Sequence, residues 1–281
     1  MQDDNPDLRR WIGRTEARTE RIAAFPANAL EATLNRDPAL AEGDALPPLY
    51  HWLHFLPLHR LDHTNYDGHA RLGDFLPPVP LPRRMWAGGR LDFLAPLRIG
   101  AALRRVSTVL EVTRKEGRSG ALAFVTVEHR IEDGATLCLR EQHDIVYREA
   151  PRADAGPPAP VPAPESGDFA AVVQPDPVLL MRYSALTFNG HRIHYDLPFC
   201  HGEGYPGLVV HGPLLATLLA DLARRHRPEA RLTGFSFRAL APVFDTARFS
   251  IHGATAAPGR LRLWVRRHDG ALAMDAEASL A

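Results

Sequence analysis

The chain has 281 residues, 45% hydrophobic and 23% charged, with 33 basic residues against 33 acidic ones and 14 histidines. That is enough material for one large or two modest domains with a buried core, and it excludes disorder over most of the length. Zero net charge without a basic cluster argues against nucleic acid, and no apolar run approaches the roughly 18 residues of a membrane span.

The N-terminus, Met1-Gln2-Asp3-Asp4-Asn5-Pro6, lacks the basic-then-apolar order of a signal peptide, so a cytoplasmic protein is expected. Residues 7–24 and 27–34 look helical, whereas 46–82 is aromatic, Pro-rich and irregular. So long an irregular stretch in a compact domain is often functional, and it is expected to cover a ligand. From 90 to 147 the pattern alternates with period two, broken by Gly-bearing turns at 115–120 and 132–134, which predicts antiparallel strands. Residues 150–164 carry six prolines and only Val161 as a large apolar side chain, predicting an extended spacer. The domains expected are therefore 1–149, a linker 150–164, and 165–281.

In the second half, 183–188 looks helical, and 212–225 carries leucines at 214, 215, 218, 219 and 222, a stripe broad enough for a sheet to wrap. Pro213 suits its first position and Arg224 and Arg225 its last turn. From 234 onward the strand pattern returns. Asp133-Gly134-Ala135 is matched by Asp269-Gly270-Ala271, and Ala95-Pro96-Leu97 by Ala241-Pro242-Val243. This reads as an internal duplication of an α+β unit. Cys138 and Cys200 lie far apart with no metal-ligand spacing and are expected to be reduced, ordinary thiols.

Four histidines fall between 191 and 211, around Phe188-Asn189-Gly190-His191-Arg192-Ile193-His194-Tyr195-Asp196 and Gly204-Tyr205-Pro206-Gly207-Leu208-Val209-Val210-His211-Gly212-Pro213. This places a neutral-pH proton-transfer group beside a helix N-terminus, whose free N–H groups favour developing negative charge. Taken alone, the His191/His194 pair also fits a solvated turn or a capped core imidazole. A zinc site would need His201, His211, Asp196 or Glu203 at no recognised spacing, and no metal is expected.

These motifs resemble the hydratase/dehydratase branch of the hot-dog superfamily (MaoC-like), more closely its two-domain hydroxyacyl-thioester dehydratase type 2 group, which includes 3-methylfumaryl-CoA (mesaconyl-CoA) hydratases. The resemblance is strongest over 175–281, and Pro82-Arg83-Arg84-Met85-Trp86-Ala87-Gly88-Gly89 is similar to the N-terminal half of that group. It implies a double hot-dog fold, with a catalytic C-terminal half and a silent N-terminal half that shapes the acyl pocket.

It also implies that His194 is the histidine that exchanges a proton with water, base in hydration and acid in reverse. Gly212 matches the helix-start residue whose N–H binds the thioester oxygen. Asn189 stands where the wider family has aspartate, and His191 where it has asparagine. An amide accepts no proton, so either His194 acts alone, with Asn189 holding the water and His191 as a second donor, or a nearby Asp196 or Glu203 completes the pair. Arg83, Arg84, Trp86, Arg192, Val210 and His211 are the candidate substrate-binding residues, the arginines for a CoA phosphate or a substrate carboxylate.

The implied activity is reversible hydration of an enoyl-CoA, short and branched or dicarboxylic, with the coenzyme A thioester as substrate and no further cofactor. Alternatives are a 3-hydroxyacyl-thioester dehydratase of fatty acid metabolism, a non-catalytic acyl-CoA-binding module, and a thioesterase. A monomeric double hot dog and a homodimer both remain open.

Overall fold

The computed structural model describes residues 7–117, 120–149 and 159–281. The first strand, β1 (Thr15–Arg21), occupies sequence expected to be helical, and only a single turn, Leu8–Trp11, precedes it. Its inward positions are the charged Glu16, Arg18 and Glu20, which hides the alternation from a hydrophobicity count. Their charges are met by groups distant in sequence: Glu20 accepts from the Phe55 N–H at 2.6 Å and pairs with His54 at 2.9 Å. Helix α1 (Ala24–Thr33) follows, and then the irregular segment as expected.

The expected meander is present as β2 (Arg83–Phe93), β3 (Ala102–Gly117), β4 (Gly120–Asp133) and β5 (Thr136–Arg148). The second half comprises β6 (Phe169–Val173), α2 (Pro177–Leu186), α3 (Leu197–Gly202), α4 (Gly212–His226), β7 (Leu232–Ala239), β8 (Phe249–Ala257), β9 (Arg260–Arg266) and β10 (Leu272–Leu280). The turns at Gly134 and Gly270 both take positive φ, 56° and 83°, which glycine adopts without a Cβ penalty.

All ten strands form one sheet in the order β1-β3-β4-β5-β2-β7-β10-β9-β8-β6. Read outward from the centre, the two halves are the same: β2-β5-β4-β3-β1 on one side and β7-β10-β9-β8-β6 on the other. The duplication is therefore pseudo-symmetric, with β2 and β7 paired antiparallel from Gly88↔Arg238 to Asp92↔Gly234. Gly88 permits that seam, because a Cβ there would lie 2.6 Å from the Phe237 carbonyl oxygen. This is the double hot-dog arrangement. Residues 150–158 of the expected linker lie outside the described residues. Its last part is not a free spacer: Leu272 N–H donates to the Val161 carbonyl at 2.7 Å, and Pro162 bridges Ala271.

Helix α4 is the hot-dog core of the second half, packed against β6 to β10 with every residue from Leu214 to Ala223 buried. Among the described residues the first half has no equivalent long helix. Leu49, Tyr50, Leu53 and Phe55 enter the main core instead, while Leu72, Phe75, Leu76 and Leu81 pack on a smaller cluster built from Val109, Val125, Val127 and Tyr147. The irregular segment thus replaces a helix as the cover of that sheet.

One buried carboxylate joins the halves. Asp221 of α4 binds Arg36, just beyond α1, through both oxygens and also Arg224 and Arg225 at 2.9 Å each. Removing it leaves three guanidinium groups without their shared partner. Asp221→Ala is expected to cost about 3 kcal/mol, read as a lower urea midpoint with an unchanged slope.

Candidate active site

Helix α2 starts at Asp176, whose carboxylate accepts from the N–H groups of Val178 and Leu179 at 2.9 Å, and ends at the loop that bears the histidines. In that loop Asn189 Oδ1 accepts from the His191 N–H at 3.0 Å, so its side-chain oxygen serves to shape the turn. A single helical turn, Arg192–His194, then swings His194 inward. Its Nδ1–H donates to the Val209 carbonyl at 2.7 Å, which fixes the tautomer and leaves Nε2 as an unprotonated acceptor with no protein partner among the described residues. Burial pulls the His194 pKa from 6.5 down to about 4, against the opposing pull of that carbonyl.

His211 stacks on His194 with ring centroids 3.6 Å apart and planes at 17°. It shares a 2.8 Å hydrogen bond with the Ser184 hydroxyl, and burial holds it well below the usual histidine range. It is the residue before α4. Next to it Gly212 N–H and Leu214 N–H have no acceptor among the described residues, and Pro213 has no N–H, so the start of α4 offers two free donors beside His194. The Trp86 carbonyl lies 4.0 Å from where a Gly212 Cβ would stand, so β2 of the first half borders this point.

The two carboxylates expected to partner His194 do not. Asp196 caps α3, accepting from Phe199 N–H at 3.0 Å, and its other oxygen takes the Arg192 guanidinium at 2.7 and 3.0 Å. Glu203 pairs with Arg83 at 2.8 Å. Both acids are thereby neutralised by arginines, and with them two of the three arginines expected to hold substrate are used up. Val210 is a core residue whose N–H donates to the Val243 carbonyl at 2.8 Å. Trp86 packs against His143 at 3.9 Å with the rings tilted by 36°, and meets Trp52 edge-on at 4.8 Å. Arg84 alone of these arginines has no carboxylate partner among the described residues.

A carboxylate and an imidazole that the sequence reading did not single out reach the site from the first half. The loop 64–70, closed by a Thr64↔Ala70 bridge, docks on the histidine loop: Arg192 N–H donates to the Asp67 carbonyl at 2.9 Å, and Arg192 Nη1 donates to that of Tyr66 at 3.1 Å. Gly68 makes the approach possible, with φ +87° and no room for a Cβ against the Gly190 carbonyl. Asp67 Oδ2 accepts from His69 Nδ1 at 2.8 Å and Oδ1 from the His69 backbone N–H at 3.0 Å. The His69 ring lies 3.9 Å from that of His191, which in turn meets His194 edge-on at 5.6 Å. Burial would raise the Asp67 carboxyl, but its bonds to His69 outweigh this and hold it down to about 2. The only hint in the sequence was that this loop lies within the irregular stretch expected to cover a ligand.

A cavity of about 440 Å³ opens from this loop, lined among others by Asp67, His69, Arg84 and Tyr147. Arg84 and Tyr147 are cross-strand neighbours on β2 and β5, and the Tyr147 hydroxyl is buried without a hydrogen-bond partner.

A double hot dog with one long core helix, an unprotonated imidazole acceptor at that helix's N-terminus and a cavity opening from the first-half loop that docks beside it defines a hydratase/dehydratase of the hot-dog class. The chain belongs to the hydroxyacyl-thioester dehydratase type 2 family, which it matches over residues 49–245. It is 49% identical to mesaconyl-C(4)-CoA hydratase of Chloroflexus aurantiacus over 279 residues, 98% of each chain. In fold it is similar to a MaoC-like dehydratase of Phytophthora capsici, with TM-score 0.73, 14% identity and 98% of each chain covered. A Mycobacterium tuberculosis protein described as having a double hotdog fold matches with TM-score 0.60 and 15% identity over the full length of both chains. No helix among the described residues is long and apolar enough to cross a membrane.

Proposed function

We propose that this enzyme reversibly adds water to the double bond of a dicarboxylic enoyl-CoA of the mesaconyl (3-methylfumaryl) type. The near-full-length similarity to a mesaconyl-C(4)-CoA hydratase carries this reading, and the site explains it chemically. The thioester oxygen sits at the start of α4, where the Gly212 and Leu214 N–H groups take up the negative charge that develops when the β-carbon is attacked. His194 Nε2, unprotonated above about pH 4, accepts a hydrogen bond from the attacking water and holds it at that carbon. The addition is redox-neutral, so the coenzyme A thioester is substrate and no redox cofactor takes part.

The free carboxylate of such a substrate needs a donor that is not already paired. Arg84 meets that need, and the orphaned Tyr147 hydroxyl beside it supplies a second donor. Arg83 and Arg192, tied to Glu203 and Asp196, hold the walls of the site. Arg84→Met is therefore expected to raise KM for mesaconyl-C4-CoA at least tenfold while changing that for crotonyl-CoA, which lacks the carboxylate, less than threefold. Equal effects on both substrates would remove Arg84 from this role. Hydration itself is tested by incubating the protein with each thioester and following enone absorbance together with free thiol.

A further inference from the structure

Family relatives with aspartate at the position of Asn189 have a carboxylate inside the histidine loop, and this chain does not. In its place the structure brings a carboxylate and an imidazole from the other half of the molecule. Four imidazoles crowd the site, those of His69, His191, His194 and His211. They differ in what lies behind the ring. His194 leans on a neutral carbonyl and His211 shares its bond with a hydroxyl, whereas His69 Nδ1–H donates to an ionised carboxylate. A proton gained by His194 or His211 therefore leaves a buried cation with no counter-ion. A proton gained at His69 Nε2 is compensated by Asp67 at 2.8 Å.

We infer that His69, held by Asp67, is the general base of this enzyme, so that one catalytic group comes from the half of the duplication expected to be silent. The inference rests on the hydratase reading above. In hydration the two imidazoles hold the water from two sides, each accepting one of its hydrogens. The water oxygen bonds to the β-carbon as the O–H bond on the His69 side breaks and its proton passes to Nε2. The π electrons move to the α-carbon and thioester oxygen, and the enolate takes that same proton back from His69 at the α-carbon. Substrate gains one water and His69 ends neutral. This moves the proton transfer from His194, its expected carrier, to His69, while His194 remains the water's second acceptor. Asp67 is a positioning residue that fixes the tautomer and offsets the imidazolium charge.

The groups facing His69 are Asp67 on its own loop, Arg84 from β2, and His191 and His194 from the histidine loop. Burial, helped by Arg84, outweighs the upward pull of Asp67 and leaves its pKa below the ordinary histidine value. Asp67, His69 and His191 are also close enough to share a cation. That use would take the Asp67 oxygens away from the two N–H groups they now serve, so the geometry favours the pair as it stands.

The test measures hydration of mesaconyl-C4-CoA by the wild type, His69→Gln and Asp67→Asn, with circular dichroism to confirm the fold of each. His69→Gln is expected to lower kcat at least a hundredfold with KM within threefold. Asp67→Asn is expected to lower it at least tenfold and to move the acid limb of the kcat/KM profile to lower pH, because the imidazole loses its counter-charge. Should His69→Gln fail to fold, the Asp67→Asn profile, a change of one atom type, decides alone. Wild-type-like kcat in both variants, or an acid limb unmoved in Asp67→Asn, would overturn the inference and leave the hydratase reading standing. Loss of wild-type activity in chelator, restored by zinc, would also overturn it in favour of a metal at these residues. A wild type that hydrates no enoyl thioester overturns both.

Discussion

His194→Ala is expected to lower kcat/KM for hydration by about 10³-fold. The ring does two things: Nε2 offers water a lone pair on the side away from His69, and Nδ1–H satisfies the Val209 carbonyl at 2.7 Å. Deleting it also strips His211 of its stacking partner, so a stability cost of about 2 kcal/mol accompanies the kinetic loss. His194→Gln separates the two effects. An amide restores a partner for the carbonyl without restoring the imidazole, so stability should recover while the rate does not. A His194→Ala enzyme that hydrates within tenfold of wild type would remove His194 from the chemistry. If His69 and His194 hold the same water, the double variant should be little slower than the slower single one, since groups acting as a unit lose their combined effect once.

The second large effect is on stability against acid. His194, buried, and His191, half-buried, are held neutral, with loss of solvent the main cause of their lowered pKa values, and the buried His211 and His129 lie well below the ordinary range for the same reason. A group whose folded pKa is depressed below 6.5 leaves the unfolded chain binding more protons between the two values. Its contribution is therefore intact above pH 6.5 and is lost as the pH falls toward the folded pKa. For His194, which falls to about 4, the loss between pH 7 and pH 5 is about 2 kcal/mol. The other buried histidines add to it. Asp67 acts in a lower window, since its carboxyl titrates near 2 when folded. Urea unfolding at pH 7 and pH 5 should show this drop, and His194→Gln should reduce it. A free energy of unfolding that is level from pH 7 to pH 5 would contradict the burial of neutral imidazoles.

The duplication was legible because local turn chemistry repeats: Asp133-Gly134 and Asp269-Gly270 close equivalent hairpins, and the strands around them alternate. Helix α4 was legible from its leucine stripe, because one amphipathic helix encodes its own burial. Strand β1 was not. Its inward side chains are charged and find their partners at His54, Phe55 and Arg105, far along the chain. The same limit applies at the site. His194, Gly212 and their neighbours lie within one continuous stretch, so a motif exposes them. The Asp67–His69 pair reaches them only because Gly68 lets one loop touch another over more than a hundred residues, and no local pattern records that contact. The expectation that Asp196 or Glu203 completes the site was drawn from nearness in sequence. Each instead meets an arginine that sequence alone did not assign to it.

Hydration across the double bond of a dicarboxylic enoyl-CoA is tested most directly by mass spectrometry of the thioester after incubation of wild-type protein with mesaconyl-C4-CoA. The predicted product is the intact CoA thioester heavier by one water, with no free thiol and with a single deuteron on the α-carbon when the reaction runs in heavy water. Release of coenzyme A would assign thioester cleavage to this site instead, and recovery of unchanged substrate would contradict the hydratase reading.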